Sequence, residues 1–174
     1  MKKKDICISL VIIAVAGGAL YVYTQRTGSI RLDTGDAEGT LELRSNLLGR
    51  SAIRSGQQPV EVYARIHRPQ HLRLSINQGG HEYFILSQGP WGGLARIKVK
   101  NNQTTNLRLG PPLVIKPKVQ KRNSVIEIQY DIVGQAGEQY EKFVRKNNRA
   151  VARASLKIVD KAGNVLEKGK FRYG

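Results

Sequence analysis

The sequence predicts an all-β fold: an antiparallel β-sandwich behind a single N-terminal transmembrane helix. Three observations predict it. Past Thr24, apolar and polar residues alternate with period two, the pattern of half-buried strands. These alternating runs are short and punctuated by Gly, Asn and Pro turns, with no long amphipathic helix between them. The first two dozen residues instead hold one unbroken apolar run behind a lysine cluster.

Residues 1–5 form a basic tail, followed by Ile6 to Tyr23, eighteen residues without a charge. As a helix this run spans roughly 27 Å, enough for a bilayer core of about 30 Å. Lys2, Lys3 and Lys4 precede it and only Arg26 follows closely, which keeps the tail cytoplasmic and exports the rest. Tyr21 and Tyr23 sit where interfacial aromatics belong. Ala14-Val15-Ala16 competes as a signal-peptide cleavage site, which would release a secreted body. The apolar character runs on to Tyr23, so a signal-anchor is favoured. Both routes place the body outside the cytoplasm, in a periplasm or the extracellular space. Cys7 is the single cysteine; no intrachain disulfide is possible, and the fold rests on its apolar core.

The exported part reads as a succession of strands. Val60, Val62, Ala64 and Ile66 alternate with Glu61, Tyr63, Arg65 and His67, and a turn is expected at Arg68-Pro69-Gln70. Leu72, Leu74 and Ile76 form the next inward face, closed by a turn at Asn77 to Gly80 and followed by Tyr83 to Leu86. Ala95, Ile97 and Val99 alternate with Arg96, Lys98 and Lys100, and Thr104 to Leu109 repeats the scheme. Leu113 to Gln120 is a strand that Pro117, lacking an N–H, assigns to an edge. Ser124 to Val133 carries Ile126, Ile128, Tyr130 and Ile132 on its inward face, and Ala152, Ala154, Leu156 and Ile158 form another. A terminal hairpin turns at Asp160 to Gly163. The one helical candidate is Glu138 to Lys146. Two prolines after Gly110 cannot continue a paired strand, so a boundary is expected there between a first β-rich part at 24–110 and a second at 111–174, either as two small modules or within one continuous sandwich.

The run Ile158-Val-Asp-Lys-Ala-Gly-Asn-Val-Leu-Glu-Lys-Gly-Lys-Phe-Arg-Tyr-Gly174 resembles the closing hairpin of bacterial Ig-like or carboxypeptidase-regulatory-like (transthyretin-like) β-sandwich modules. The resemblance covers about a third of the chain. It implies a spacer, adhesion unit or stabilising appendage, and brings no catalytic residues with it.

Chemistry is sparse. His67 and His71 are four apart, but Pro69 between them removes the helix face that would make them paired metal ligands. Asp33 and Asp36 flank Gly35 without the spacing of a calcium loop. No nucleophile elbow or phosphate loop occurs, and the scattered acids suggest no carboxylate pair. The sequence thus predicts no enzyme, no metal and no cofactor. What stands out is charge: 29 Lys and Arg against 13 Asp and Glu, a net +16. Such a body is drawn to polyanions. The candidate anion-binding face comprises Arg96, Lys98 and Lys100 on one strand, Lys116 and Lys118 on another, and Arg153 and Lys157 on a third. If two such strands are neighbours they form one cationic face. Trp91, on the loop Gly89-Pro-Trp-Gly-Gly93, is either a contact residue or folds back over the core. The functional expectation is a non-catalytic envelope protein that binds an anionic glycan, lipid head groups or an acidic protein. The alternatives are a structural subunit of a membrane complex and an exported nucleic-acid-binding module. Few outward aromatics are available to stack on bases, which weighs against the last.

Overall fold

The computed structural model describes residues 26–44, 51–152 and 154–171. Among them the chain is all-β, with one 3-10 turn at Gly92–Ala95. The first half supplies β1 (Thr27–Asp33), β2 (Glu38–Arg44), β3 (Ser51–Arg54), β4 (Val60–Tyr63), β5 (Ile66–Gln78), β6 (His81–Ser87), β7 (Ile97–Lys98) and β8 (Thr104–Arg108). The second half supplies β9 (Val114–Arg122), β10 (Val125–Val133), β11 (Gln139–Tyr140), β12 (Arg145–Lys146), β13 (Arg149–Ala150), β14 (Ser155–Val159) and β15 (Val165–Lys170).

Alternation builds the first half. Ile30 and Leu32 of β1, Leu41 and Leu43 of β2, Ile53 of β3 and Val62 of β4 point inward with Leu72 and Leu74 of β5. They come from two sheets, β4-β1-β8 and the path β13-β12-β6-β5-β2-β3, and merge in one core cluster with Ile85, Ile97 and Leu107. Each fully buried aliphatic side chain contributes about 1.5–3 kcal/mol, so this cluster is the main stabilising mass. Two-residue turns fix the hairpins. Gln78 pairs with His81 around Gly79-Gly80, and Lys146 pairs with Arg149 around Asn147-Asn148. All four turn residues have positive φ, the mirror-image turn that Gly and Asn tolerate best.

The second half is tied to the first rather than strung beyond it. β12 adds to β6, with Arg145 opposite Phe84 and Lys146 opposite Tyr83. Gln139 N–H donates to the Pro90 carbonyl at 2.8 Å and Gly93 N–H to the Ala136 carbonyl at 2.8 Å. The Glu138 carboxylate, fully buried, accepts from Gly110 N–H at 2.7 Å, Ala136 N–H at 2.9 Å and the Tyr140 hydroxyl at 2.7 Å. It thereby joins the exit of the first half to the turn before β11. Burial first, and then its bond to Glu138, hold the Tyr140 phenol proton on well above the ordinary tyrosine range.

Several expectations are corrected. Antiparallel pairing is not universal, because β1 and β8 run parallel, Ser29 opposite Thr104 through Asp33 opposite Arg108. A fold class that includes a transmembrane helix is not supported: among the described residues no helix is long and apolar enough to cross a membrane. The segment 6–23 on which that helix was expected lies outside them. The strand expected from Val60 to Ile66 breaks after Tyr63 and changes phase, so Ile66 is outward and His67 is buried. His67 Nε2 bonds the Tyr63 carbonyl at 2.8 Å, an inward polar contact that a continuing alternation would not allow. Arg68-Pro69-Gln70 is not a turn but lies within the first part of β5, where the register with β2 shifts and Pro69 faces Leu43; an irregularity of this kind is where a sheet accommodates proline. The helical candidate at Glu138 to Lys146 forms β11 and β12 instead: Tyr140 bonds Glu138, and Arg145 and Lys146 pair with β6. On β10 the expected inward face is covered only at one end: Tyr130 and Ile132 are buried, whereas Ile126 is 58% exposed.

Candidate functional site

A strongly cationic concavity lies where β2, the β4–β5 corner and the approach to β7 converge. It is a cleft of about 520 Å³ walled by Arg44, Arg65, Ile66, Arg68 and Arg96. Each arginine arrives by a local cause. Arg44 ends β2 on the face opposite buried Leu41 and Leu43. Arg65 keeps the outward side that the alternation gives it, and the phase change at the β4–β5 corner brings Ile66 and Arg68 outward beside it. Arg96 follows the 3-10 turn, outward of buried Leu94 and Ile97. The corner is held by Val99 N–H donating to the Arg65 carbonyl at 3.0 Å, and the Arg65 guanidinium stands 5.5 Å over the Tyr63 ring.

The electrostatics are one-sided. Arg44 and Arg68 are direct cross-strand partners, a like-charge pairing that ordinarily destabilises a sheet. No carboxylate lines the cleft among the described residues. The ion pairs Arg73–Glu82 and Arg108–Asp33 lie outside it. Guanidinium is the cation suited to such a place, since its planar fork binds carboxylate, sulfate or phosphate oxygens in pairs. Clefts lined with one sign of charge also concentrate counter-ions. Close by, burial depresses the His67 pKa most, its bond to the Tyr63 carbonyl opposes this, and the Arg65 charge adds to the depression.

The residues expected to form one cationic face are divided by the structure. Arg96 enters the cleft and Lys98 sits at its margin, directly opposite Ile66. Lys100 is exposed farther along, beyond buried Val99. Lys116 and Lys118 are on β9, which among the described residues pairs only with β10, and Lys157 is on β14, which among them pairs only with β15. Those strands are not neighbours, and Lys118 is engaged by Asp131 at 2.5 Å. Arg153 lies outside the described residues. Trp91 is partly buried, packs against the core and stacks its indole edge near Gly89.

Arg44, Arg65 and Arg68 were missed. One sequence signal pointed to them: from 26 to 110 the chain has ten arginines and two lysines, and from 111 onward five and nine. Lysine serves solubility as well as arginine does, so a local preference for arginine marks paired-oxygen recognition. Among the described residues no cluster of three metal-ligating side chains occurs. No protein-family model, curated protein or solved structure matches the chain.

Proposed function

We propose that this is a non-catalytic, exported β protein that holds an anionic polymer or an acidic protein surface of the cell envelope in its arginine cleft. One observation carries the reading: four guanidinium groups share a concave site with no carboxylate among the described residues, two of them as direct cross-strand neighbours. An arrangement that costs stability in the free protein is retained where a bound anion offsets the repulsion. The export half of the proposal rests on the apolar run behind Lys2 to Lys4. The two β layers over one core supply a rigid support of the sandwich type, as expected of an adhesion or spacer unit. A sulfated or carboxylated glycan fits better than nucleic acid, because the cleft offers paired donors and no aromatic platform among its lining side chains.

The test is retention of the full chain on immobilised sulfated glycan, polyglutamate and single-stranded DNA as salt rises. Wild type should elute from the glycan or polyglutamate at clearly higher salt than Arg44→Gln/Arg68→Gln. A control losing the same charge elsewhere, Lys168→Gln/Lys170→Gln, should elute with wild type. Equal loss in both double variants would mean that net charge alone binds, and the cleft reading would fail.

A further inference from the structure

A second concavity, on another part of the molecule, has the opposite character. The hairpin β9–β10, the chain around Val144 and Val151, and the hairpin β14–β15 enclose a groove of about 420 Å³. Its walls include Ile115, Tyr130, Ile132, Leu156 and Phe171, and among the described residues its one charged lining residue is Lys142. Tyr130 forms the floor, with Phe171 edge-on at a centroid distance of 4.6 Å. The Lys142 ammonium stands over the same ring at 5.5 Å, and no carboxylate pairs with it among the described residues. Ile115 remains 66% exposed at the groove's mouth. An apolar cavity of this size with few polar residues in its lining, here chiefly Lys142 and Ser155, is the ordinary form of a small-ligand site.

We propose that this groove binds a single-chain amphiphile with an anionic head, a free fatty acid, its tail along the Ile115–Leu156 walls and its carboxylate at Lys142. Charge selects this occupant over a second copy of the chain. Docking β9 against its own copy would bring Lys116, Lys118, Lys121 and Arg122 together with their duplicates, which like-charge repulsion disfavours. Volume selects one chain rather than the two of a membrane lipid.

The experiment measures binding of dodecanoate, dodecanol and dodecylamine to the full chain by displacement of a fluorescent fatty acid, below their micelle concentrations. Dodecanoate should bind at least tenfold tighter than dodecylamine, and Lys142→Glu should reverse that order. Ile115→Asp, a change at an exposed position, should weaken dodecanoate at least tenfold while leaving the circular dichroism spectrum and melting temperature unchanged. Equal binding of all three probes, or no effect of Lys142→Glu, would show unspecific partition onto apolar surface and overturn the proposal. So would a protein that ignores dodecanoate but sediments with phosphatidylglycerol vesicles, which would assign the groove to membrane lipid. A protein that sediments as a dimer and becomes monomeric in Ile115→Asp, without dodecanoate binding, would assign it to a second copy.

Discussion

Glu138 is the residue whose removal the structure says most about. Its carboxylate takes three donors, with Gly110 N–H and the Tyr140 hydroxyl on Oε1 and Ala136 N–H on Oε2. Glu138→Ala leaves all three without an acceptor in a place that water reaches poorly. At about 1–3 kcal/mol for each stranded donor, less the relief of no longer burying a charge, the net loss is about 3–5 kcal/mol. Glu138→Gln keeps an oxygen for two donors but turns an amide N–H toward Ala136 N–H, and should cost about 1–3 kcal/mol. Tyr140→Phe removes one bond and leaves Oε1 held by Gly110, about 1 kcal/mol. The order Ala, Gln, Phe is therefore fixed by which oxygen serves which donor. Urea unfolding of the full chain, followed by emission of Trp91, the only tryptophan, measures it. This reporter packs against the core beside Gly92, which abuts Gly137. A Glu138→Ala protein within 1 kcal/mol of wild type would refute the reasoning, because the carboxylate would then not be joining the two halves.

Other outcomes follow from single contacts. Because burial lowers the His67 pKa beneath its ordinary 6.5, the unfolded chain binds the extra proton first. Stability should thus be lost as pH falls from about 6.5 toward the depressed value and level off below it; urea midpoints across pH 7 to 4 should show this slope, and His67→Gln should flatten it. Gly92 has φ +52, and a Cβ there would lie 2.5 Å from the Gly137 backbone, so Gly92→Ala should cost about 2–4 kcal/mol. Gly163→Ala, at φ +88 with open space around it, should cost only about 1–2 kcal/mol of backbone strain; equal losses in thermal melts would contradict the close approach at Gly92. Arg68→Gln should raise stability by a few tenths of a kcal/mol by relieving the pairing with Arg44, while weakening polyanion binding. A variant that loses both stability and binding would mean that the arginines support the fold.

What the sequence revealed and what it concealed divide along physical lines. Strand existence was legible wherever one face is buried, because alternation records burial directly. Leu72 and Leu74, Ile97 and Val99, and the Asp160 turn, where the side chain accepts Ala162 N–H at 2.9 Å and Asn164 N–H at 2.8 Å, all stand in their expected roles. Phase was illegible at Tyr63 to Ile66, since a corner that flips the strand leaves no mark until His67 finds the Tyr63 carbonyl. That same flip turns Arg68 outward beside Arg65, so the misread phase also hid Arg68 from the candidate site. The parallel pairing of β1 with β8 depends on contacts across 75 residues, such as Ser29 Oγ with Thr104 Oγ1 at 2.8 Å, which no local pattern encodes. Alternation on β10 identified a face but not its cover: Ile126 and Tyr130 share that face, and only Tyr130 has Phe171 against it.

The arginine cleft itself can be watched. Side-chain Nε–Hε resonances of Arg44, Arg65, Arg68 and Arg96 should be assigned by single Arg→Lys substitutions and followed as a sulfated oligosaccharide is added. Binding in the cleft should move those four signals together along one saturating curve and leave Arg122 and Arg149 in place. Shifts spread evenly over all arginines, or none before the oligosaccharide reaches the concentration of the added salt, would contradict a site in the cleft and reduce the charge to a general property of the surface.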